Sequence, residues 1–407
     1  MLSKEDYNQH RLIIAGLAQC DVGLTNVLNA IIESLKHSWE ILVFAHGTES
    51  NNYKKIKGVK TELSFLQDWS QSTQVHFEKI IKDYKPDVIL IIGHPWKSPK
   101  FTAVASKYPN AKLVVYMPIE GRPIGKHIAT SLTGVDLCIT YTKFAQNALK
   151  SLLSKPDTKL ISIGHGLDTY YQPLTSNKLP AETSFREALR KRLFPNHPEY
   201  WKRPMVLNSN RLYYRKRLDL TIKGFALAAK KTDASLYLNI AAITQYEHNK
   251  LETLIKKLGI ESRVMLNTLN TTNKPIPKEQ LRQLYNACDI GITTSMGEGW
   301  GLCVFEHAAT GAMQIVPDHT AFRENWPDKT ALKFTAKKPV YVADEAAEMY
   351  EGSIEDISNV IIKAIKNQEY RTLYGYNGFK HAHSEQFNWF NIGKTFDQAL
   401  KSILIAI

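Results

Sequence analysis

The sequence predicts an α/β protein made of two doubly wound parallel-sheet domains joined by a hinge. Three observations predict it. The chain has 407 residues, more than one ordinary core needs and enough for two domains of roughly 150–200 residues. Strand-sized apolar runs alternate with helix-period segments along both halves. Between the two series lies a stretch broken by Pro173, Pro180, Pro195, Pro198 and Pro204.

The first series opens with an apolar run at 11–16, followed by the helix pattern Leu24, Val27, Leu28, Ile31, Ile32, Leu35. A second strand is expected at 40–45. A helix at 75–84 stops before Pro86, whose missing N–H and ring forbid continuation, and strands at 87–93, 112–117, 137–141 and 159–163 continue the series. The segment 143–153 reads as the helix between the last two. The second series begins with a strand at 204–208. It runs through helix 218–230, strand 235–240, helix 246–258, strand 264–266, helix 278–287, strand 290–294, helix 302–310 and strand 314–316. A helical region from 354 to 404 has no strand to pair with. Strand, crossover and strand repeated in this way build a parallel sheet covered on both faces, whose ligands bind beyond the carboxyl ends of the strands. No repeat of 20–50 residues interrupts the pattern. The expected domains are 1–175, a basic hinge at 176–203, and 204–384.

Apolar residues make up 43% and charged residues 22% of the chain, which excludes disorder as a class. The first residues are polar and carry acids with no apolar signal-peptide core behind them, so no leader is expected, and the longest apolar runs, 88–92 and 113–117, fall far short of the roughly 20 residues that span a bilayer. Cys20, Cys138, Cys288 and Cys303 lie too far apart for a zinc or dithiol motif, so reduced thiols and a cytoplasmic setting are expected. The net charge of +13 points to an anionic partner, such as a nucleotide, an anionic membrane surface, an acidic glycan or a nucleic acid. The excess concentrates at 176–217, where eleven Lys or Arg face three Glu. Within it, 184–194 could form an amphipathic helix with Phe185, Leu189 and Leu193 on one side. That helix would lie at an anionic membrane, touch a polyanionic acceptor, or pack its apolar side on the neighbouring domain.

The densest chemical cluster runs from Ser295 to Gly311, just after the strand at 290–294. Gly297, Gly299 and Gly301 allow close backbone approach, and the following helix start favours an anion. Glu298 and Glu306 are acceptor-only groups suited to sugar or ribose hydroxyls. Taken alone, the segment has a second, less favoured reading as a glycine-rich helix start with two solvated glutamates, and it lacks the dinucleotide spacing. A second cluster, Arg211 to Asp219, places cations after the first strand of the second domain. There they could neutralise a diphosphate without metal. No acidic pair stands at metal-ligand spacing after a strand, and no metal or other cofactor is expected.

Together these segments resemble the retaining glycosyltransferases of family 4. Glu298 and Glu306 match the E-x7-E motif, flanked by Glu-Gly-Trp-Gly-Leu and by Phe-Glu-His-Ala-Ala-Thr-Gly. Arg211 and Lys216 match that family's spaced arginine and lysine. The stretches 163–173 and 134–144 resemble its first-domain segments. The resemblance implies the GT-B fold, two facing Rossmann-like domains with a nucleotide-sugar cleft, and a C-terminal helix at about 385–407 returning to the first domain. It implies transfer of a hexose or related sugar from a UDP- or GDP-linked donor to a glycan, lipid-linked or other polyanionic acceptor, as in polysaccharide biosynthesis. A peripheral place at the inner membrane surface fits that role. Glu306 would hold the ribose, Glu298 the donor sugar, and Arg211 and Lys216 the departing diphosphate. Backbone amides at Gly299, Trp300, Gly301 and Leu302 would add donors. Asn267 and Leu269 would meet the base, and Gly23 would approach the phosphate. The chain departs from the family where many relatives carry a histidine after the strand at 112–117. Here Glu120 stands near that place, as a contact to sugar or acceptor or as a base, or else as a turn residue; His94 is the other candidate. Two alternatives share the fold: a nucleotide-sugar epimerase or hydrolase, and a viral or phage-type transferase acting on nucleic acid. A non-catalytic nucleic-acid binder lacks any supporting motif.

Overall fold

The computed structural model describes residues 9–17, 23–47, 53–64, 70–153, 158–175, 182–240, 244–266 and 276–405. The chain divides into two compact units. One comprises Met1–Gly166, Ala343–Ala347 and Gln386–Ile407; the other comprises Leu167–Val342 and Glu348–Glu385.

The first unit contains β1 (Arg11–Leu17), α1 (Gly23–Leu35), β2 (Glu40–His46), β3 (Lys60–Ser64), α2 (Gln71–Tyr84), β4 (Val88–Ile92), α3 (Pro99–Ala105), β5 (Lys112–Met117), β6 (Leu137–Thr140), α4 (Lys143–Leu149) and β7 (Lys159–Ser162). Its seven strands lie in the order β3-β2-β1-β4-β5-β6-β7, and every pairing is parallel. The interior strand β4 is buried at every residue, as expected of a parallel strand covered on both faces. α1 buries Val27, Leu28, Ile31, Ile32 and Leu35, the stripe its 3.6-residue period requires.

The second unit follows with α5 (Thr183–Leu193), β8 (Met205–Asn208), α6 (Leu218–Ala229), β9 (Ser235–Leu238), α7 (Gln245–Lys257), β10 (Val264–Leu266), α8 (Lys278–Ala287), β11 (Ile290–Ile292), α9 (Leu302–Ala308), β12 (Met313–Pro317), α10 (Thr320–Asn325) and β13 (Leu332–Phe334). Its sheet order is β10-β9-β8-β11-β12-β13, again wholly parallel. β14 (Ala336–Val342) and β15 (Ala347–Gly352) form a separate two-stranded ribbon. Then come α11 (Ile354–Lys366), α12 (Gln368–Ala382) and α13 (Trp389–Lys401). α13 belongs to the first unit. There Asp397 Oδ1 accepts from Trp39 Nε1 at 2.8 Å, Phe396 meets Tyr116 edge-on at 5.0 Å, and Trp389 lies where a side chain on Gly166 would collide.

The segment expected as a hinge behaves differently. Its described part, from residue 182, belongs to the second unit, and the division falls at Gly166. α5 packs on α8 and turns two arginines inward rather than outward. Arg186 and Arg190 are 3% and 1% exposed. Arg190 pairs with Asp289, and its Nε donates to the Ala287 carbonyl at 2.9 Å; Arg186 donates to the Asn286 carbonyl at 3.0 Å. These bonds satisfy carbonyls at the C-terminal end of α8, where cations are favoured. Leu189 is buried with the arginines, and Phe185 and Leu193, expected on the same side, are partly buried, so α5 packs on its own domain. No helix among the described residues is long and apolar enough to cross a membrane.

Candidate active site at the switch point of the second sheet

In the second sheet the strand order reverses between β8 and β11, which pair directly with Ile290 opposite Val206. Loops leaving the carboxyl ends of two such strands diverge and leave room for a ligand. The loop after β8 carries Arg211, Arg215 and Lys216, and the loop after β11 carries Ser295 to Gly301.

A buried polar network fastens these loops together. Asn208 Nδ2 donates to Thr221 Oγ1 at 2.8 Å, and Asn210 Nδ2 donates to Asn208 Oδ1 at 2.7 Å and Thr293 Oγ1 at 3.3 Å. Thr221 and Thr294 hydroxyls meet at 2.7 Å. Thr294 Oγ1 lies 2.8 Å from the Arg217 carbonyl, and Met296 N donates to the Arg215 carbonyl at 2.7 Å. Satisfied networks of this kind rigidify a site.

Glu298 is the centre of the arrangement and only 5% exposed. Its carboxylate takes Arg215 Nη1 at 3.0 Å, the Lys216 ammonium, and the Ser295 hydroxyl at 3.0 Å. Burial alone would raise its pKa, but Arg215 and Lys216 outweigh burial and hold it down to about 2. Arg211 is half-buried on the same loop, and among the described residues its side chain has no ion-pair partner.

Glu306 lies further along the same segment, on α9, and is partly buried. Tyr285 of α8 donates to its Oε2 at 3.1 Å. Burial raises its pKa to about 7, only partly countered by Tyr285; Asp168 adds to the rise and Lys278 opposes it. Of the three glycines between the two glutamates' flanks, Gly301 alone has a left-handed backbone, at φ 94°, and a Cβ there would lie 2.6 Å from Phe322. Trp300 is buried and stacked on Phe305 at 5.3 Å, so Trp300 offers its backbone rather than its ring. Gly299 is buried and Leu302 opens α9. Thr320 adopts φ 46°, uncommon for a β-branched residue, and its hydroxyl lies 3.4 Å from the Glu298 amide.

Four expected residues, Arg211, Lys216, Glu298 and Glu306, therefore stand on the two switch-point loops and the helix opening from one of them. Lys216 and Glu298 are in direct contact; Glu306 has its own partner, Tyr285. Sequence reading missed Arg215, Ser295, Tyr285 and Thr320. Arg215 could have been found by its adjacency to Lys216; Tyr285 carries no sequence signal, because only the packing of α8 on α9 brings it to Glu306.

The remaining expectations fall elsewhere. Asn267 and Leu269 lie outside the described residues. Gly23 is the exposed first residue of α1 in the first unit. His94 follows β4 and Glu120 follows β5, the latter 3% exposed. His94 Nδ1 stands 3.7 Å from Glu120 Oε1 and its ring stacks on Trp96 at 4.5 Å. Among the described residues no group of three or more His, Cys, Asp or Glu side chains could hold a metal ion.

Residues 190–381 match the family model described as glycosyl transferases group 1. Over 121 residues the chain is 30% identical to the mannosylfructose-phosphate synthase of Agrobacterium fabrum, a match spanning 28% of this chain and 25% of the length of that curated relative. Solved structures align over nearly the whole chain. A sucrose-phosphate synthase from Thermosynechococcus elongatus superposes with a TM-score of 0.77 at 16% identity, covering 98% of this chain and 100% of that one. Anabaena HepE in complex with UDP and glucose gives 0.70 at 16% identity, covering 97% and 100%. WaaG, a glycosyltransferase involved in lipopolysaccharide biosynthesis, gives 0.66 at 13%, covering 96% and 99%. At these identities the likeness is one of fold, and that fold is GT-B.

Proposed function

We propose that this chain is a retaining, metal-independent glycosyltransferase of family 4, moving a hexose or related sugar from a nucleotide-diphosphate sugar to a glycan, lipid-linked or other polyanionic acceptor. The observation that carries the reading is Glu298, ionised and buried between Arg215 and Lys216, with Glu306 further along one segment at the switch point of the sheet. A fixed carboxylate there suits the hydroxyls of a donor sugar. Arg211, Arg215 and Lys216 supply positive charge where a departing diphosphate would gather negative charge, the task a divalent ion performs in other transferases. Glu306 suits the ribose diol, and amides at 299–302 suit the phosphates. The match of residues 190–381 to a glycosyltransferase family and the UDP, UDP-glucose and ADP bound by structurally similar proteins support the same assignment.

In this reading the acceptor oxygen forms its bond to the anomeric carbon on the face the diphosphate leaves. The carbon–oxygen bond to phosphate breaks, its electron pair stays on the diphosphate, and a diphosphate oxygen takes the acceptor's proton. No carboxylate nucleophile is required, unlike in retaining hydrolases. His94 and Glu120 are assigned to the first unit's contact with donor sugar or acceptor.

Incubation with UDP-, GDP- and ADP-linked sugars, with and without glycan or lipid-linked acceptors, tests the reading. Transfer with the donor's anomeric configuration retained, undiminished by EDTA, is expected. Epimerised or hydrolysed sugar formed equally well without acceptor would replace transfer by the epimerase or hydrolase reading. Glucosylated duplex with glycans inert would name nucleic acid as acceptor.

A further inference from the structure

We infer that the ribbon β14–β15 is a positioning element for the cationic loop, and that Glu351 is the residue through which it acts. The inference rests on the reading of the Arg211–Lys216 loop as a diphosphate site. The ribbon stands outside the six-stranded sheet, between β13 and α11, and the parallel-sheet architecture has no need of it. Yet β15 reaches both loops of the site. Tyr350 N donates to the Met296 carbonyl at 3.0 Å, two residues before Glu298. Glu351 forms an ion pair with Arg217, directly after Lys216, and Lys338 of β14 approaches the other Glu351 oxygen at 3.1 Å.

Arg217 explains why such a support is useful. Its backbone is left-handed, φ 46° and ψ 50°, a conformation disfavoured for a side chain with a Cβ. That turn sets the direction in which Lys216 and Arg215 leave the loop. Its guanidinium is clamped on one edge by Asp219, at 2.9 and 3.0 Å, and on another by Glu351, while Thr294 bonds its carbonyl at 2.8 Å. Two carboxylates thus neutralise Arg217, which separates it from the ligand-facing cations although it sits among them in sequence. Glu351 is 16% exposed at its side chain, so its bond is shielded from water and less screened than a surface pair. Removing it leaves the guanidinium half-paired and the strained turn held by Asp219 and Thr294 alone. Small displacements of this kind weaken positioned groups strongly.

The test compares Glu351→Gln and Glu351→Ala with Lys216→Ala in the full-length protein. Calorimetric titration with UDP, GDP and ADP, and with each monophosphate, gives the ratio of diphosphate to monophosphate affinity. For Glu351→Ala the ratio is expected to fall about three- to tenfold, with monophosphate affinity held within about twofold. Glu351→Gln keeps an acceptor for Arg217 and is expected to lose less. A donor kcat reduced more than KM would accompany both. An unchanged ratio in Glu351→Gln and Glu351→Ala beside a lowered ratio in Lys216→Ala would overturn the role of the ribbon. If Lys216→Ala also leaves the ratio unchanged, or none of the three nucleotides binds, the diphosphate-site reading falls instead. Should Glu351→Ala not fold, the Gln variant alone decides.

Discussion

Glu298 and Glu306 belong to one loop-and-helix segment, yet their surroundings drive them in opposite directions. Two cations hold Glu298 at about 2, while burial lifts Glu306 to about 7. The signs have separate consequences. Glu298 is depressed, so the stability it lends is complete above its ordinary value of 4.5 and is lost only as pH falls toward 2. Glu306 is raised, so its burden appears above 4.5 and is complete near 7. If Glu306 accepts ribose hydroxyls as a carboxylate, nucleotide affinity should rise about tenfold between pH 6 and 8, following its ionised fraction. Titration of Glu306→Gln over the same range is the control, because it retains the phosphate's own titration and lacks only the carboxyl's, so its rise should be smaller by about that tenfold. Equal slopes in both proteins would remove Glu306 from nucleotide binding. The cations make a second case. Lys216→Ala or Arg211→Ala should lower turnover by roughly 10²–10³-fold, the range for losing one group that stabilises developing charge. A melting temperature near that of the unaltered protein is expected for Arg211→Ala and would show that its loss is chemical, whereas Lys216→Ala, which leaves buried Glu298 with Arg215 as its one cation, should also lose some stability.

At the scale of elements, the strands with uniform apolar runs were legible, since β4, β5 and β12 are buried on both faces and announce themselves without context. β3 was not, because it is a largely half-buried strand of Lys-Thr-Glu-Leu-Ser whose place beside β2 comes from pairing rather than pattern. The ribbon was missed for a related reason: β14 exposes most of its residues, so periodicity had little to read. The glutamates and cations were legible as residues, but their convergence depends on the direct pairing of β8 with β11, and on Tyr285 and Thr320 arriving from other elements. α5 lies in the segment read as a basic hinge, where the residue pattern left packing on a domain and contact with an anionic partner both open; Arg186 and Arg190 are buried partners of Asp289 and of the end of α8. Asp289 is held ionised by those arginines, against the effect of its burial. Asp289→Ala would strand two buried cations and should cost roughly 3–5 kcal/mol in denaturant unfolding. Nucleotide affinity measured well below the new midpoint should not change, because no site residue touches the pair. A loss under about 1 kcal/mol would mean that backbone carbonyls alone satisfy both guanidinium groups.

At the scale of the whole molecule, the chain does not divide where it is cut once. The first unit is completed by its last residues, and α13 seals Ile392, Phe396 and Leu400 against the sheet and α1. Burying side chains of this size contributes about 1.5–3 kcal/mol each. Three of them approach the whole stability of an ordinary domain, about 5–15 kcal/mol. Every described member of the candidate site on the two switch-point loops, by contrast, lies within residues 167–342 and 348–385. A chain ending at Glu385 should therefore lose hydrogen-exchange protection in β1, β4 and β5. Its second unit should still respond to a nucleotide by mass action, gaining about 2.7 kcal/mol at a hundredfold excess over the dissociation constant. Exchange mass spectrometry with and without nucleotide reads both halves in one experiment. Full protection of β1, β4 and β5 in the shortened chain would show that the first sheet holds itself without α13, and loss of protection throughout would show that the two units unfold together.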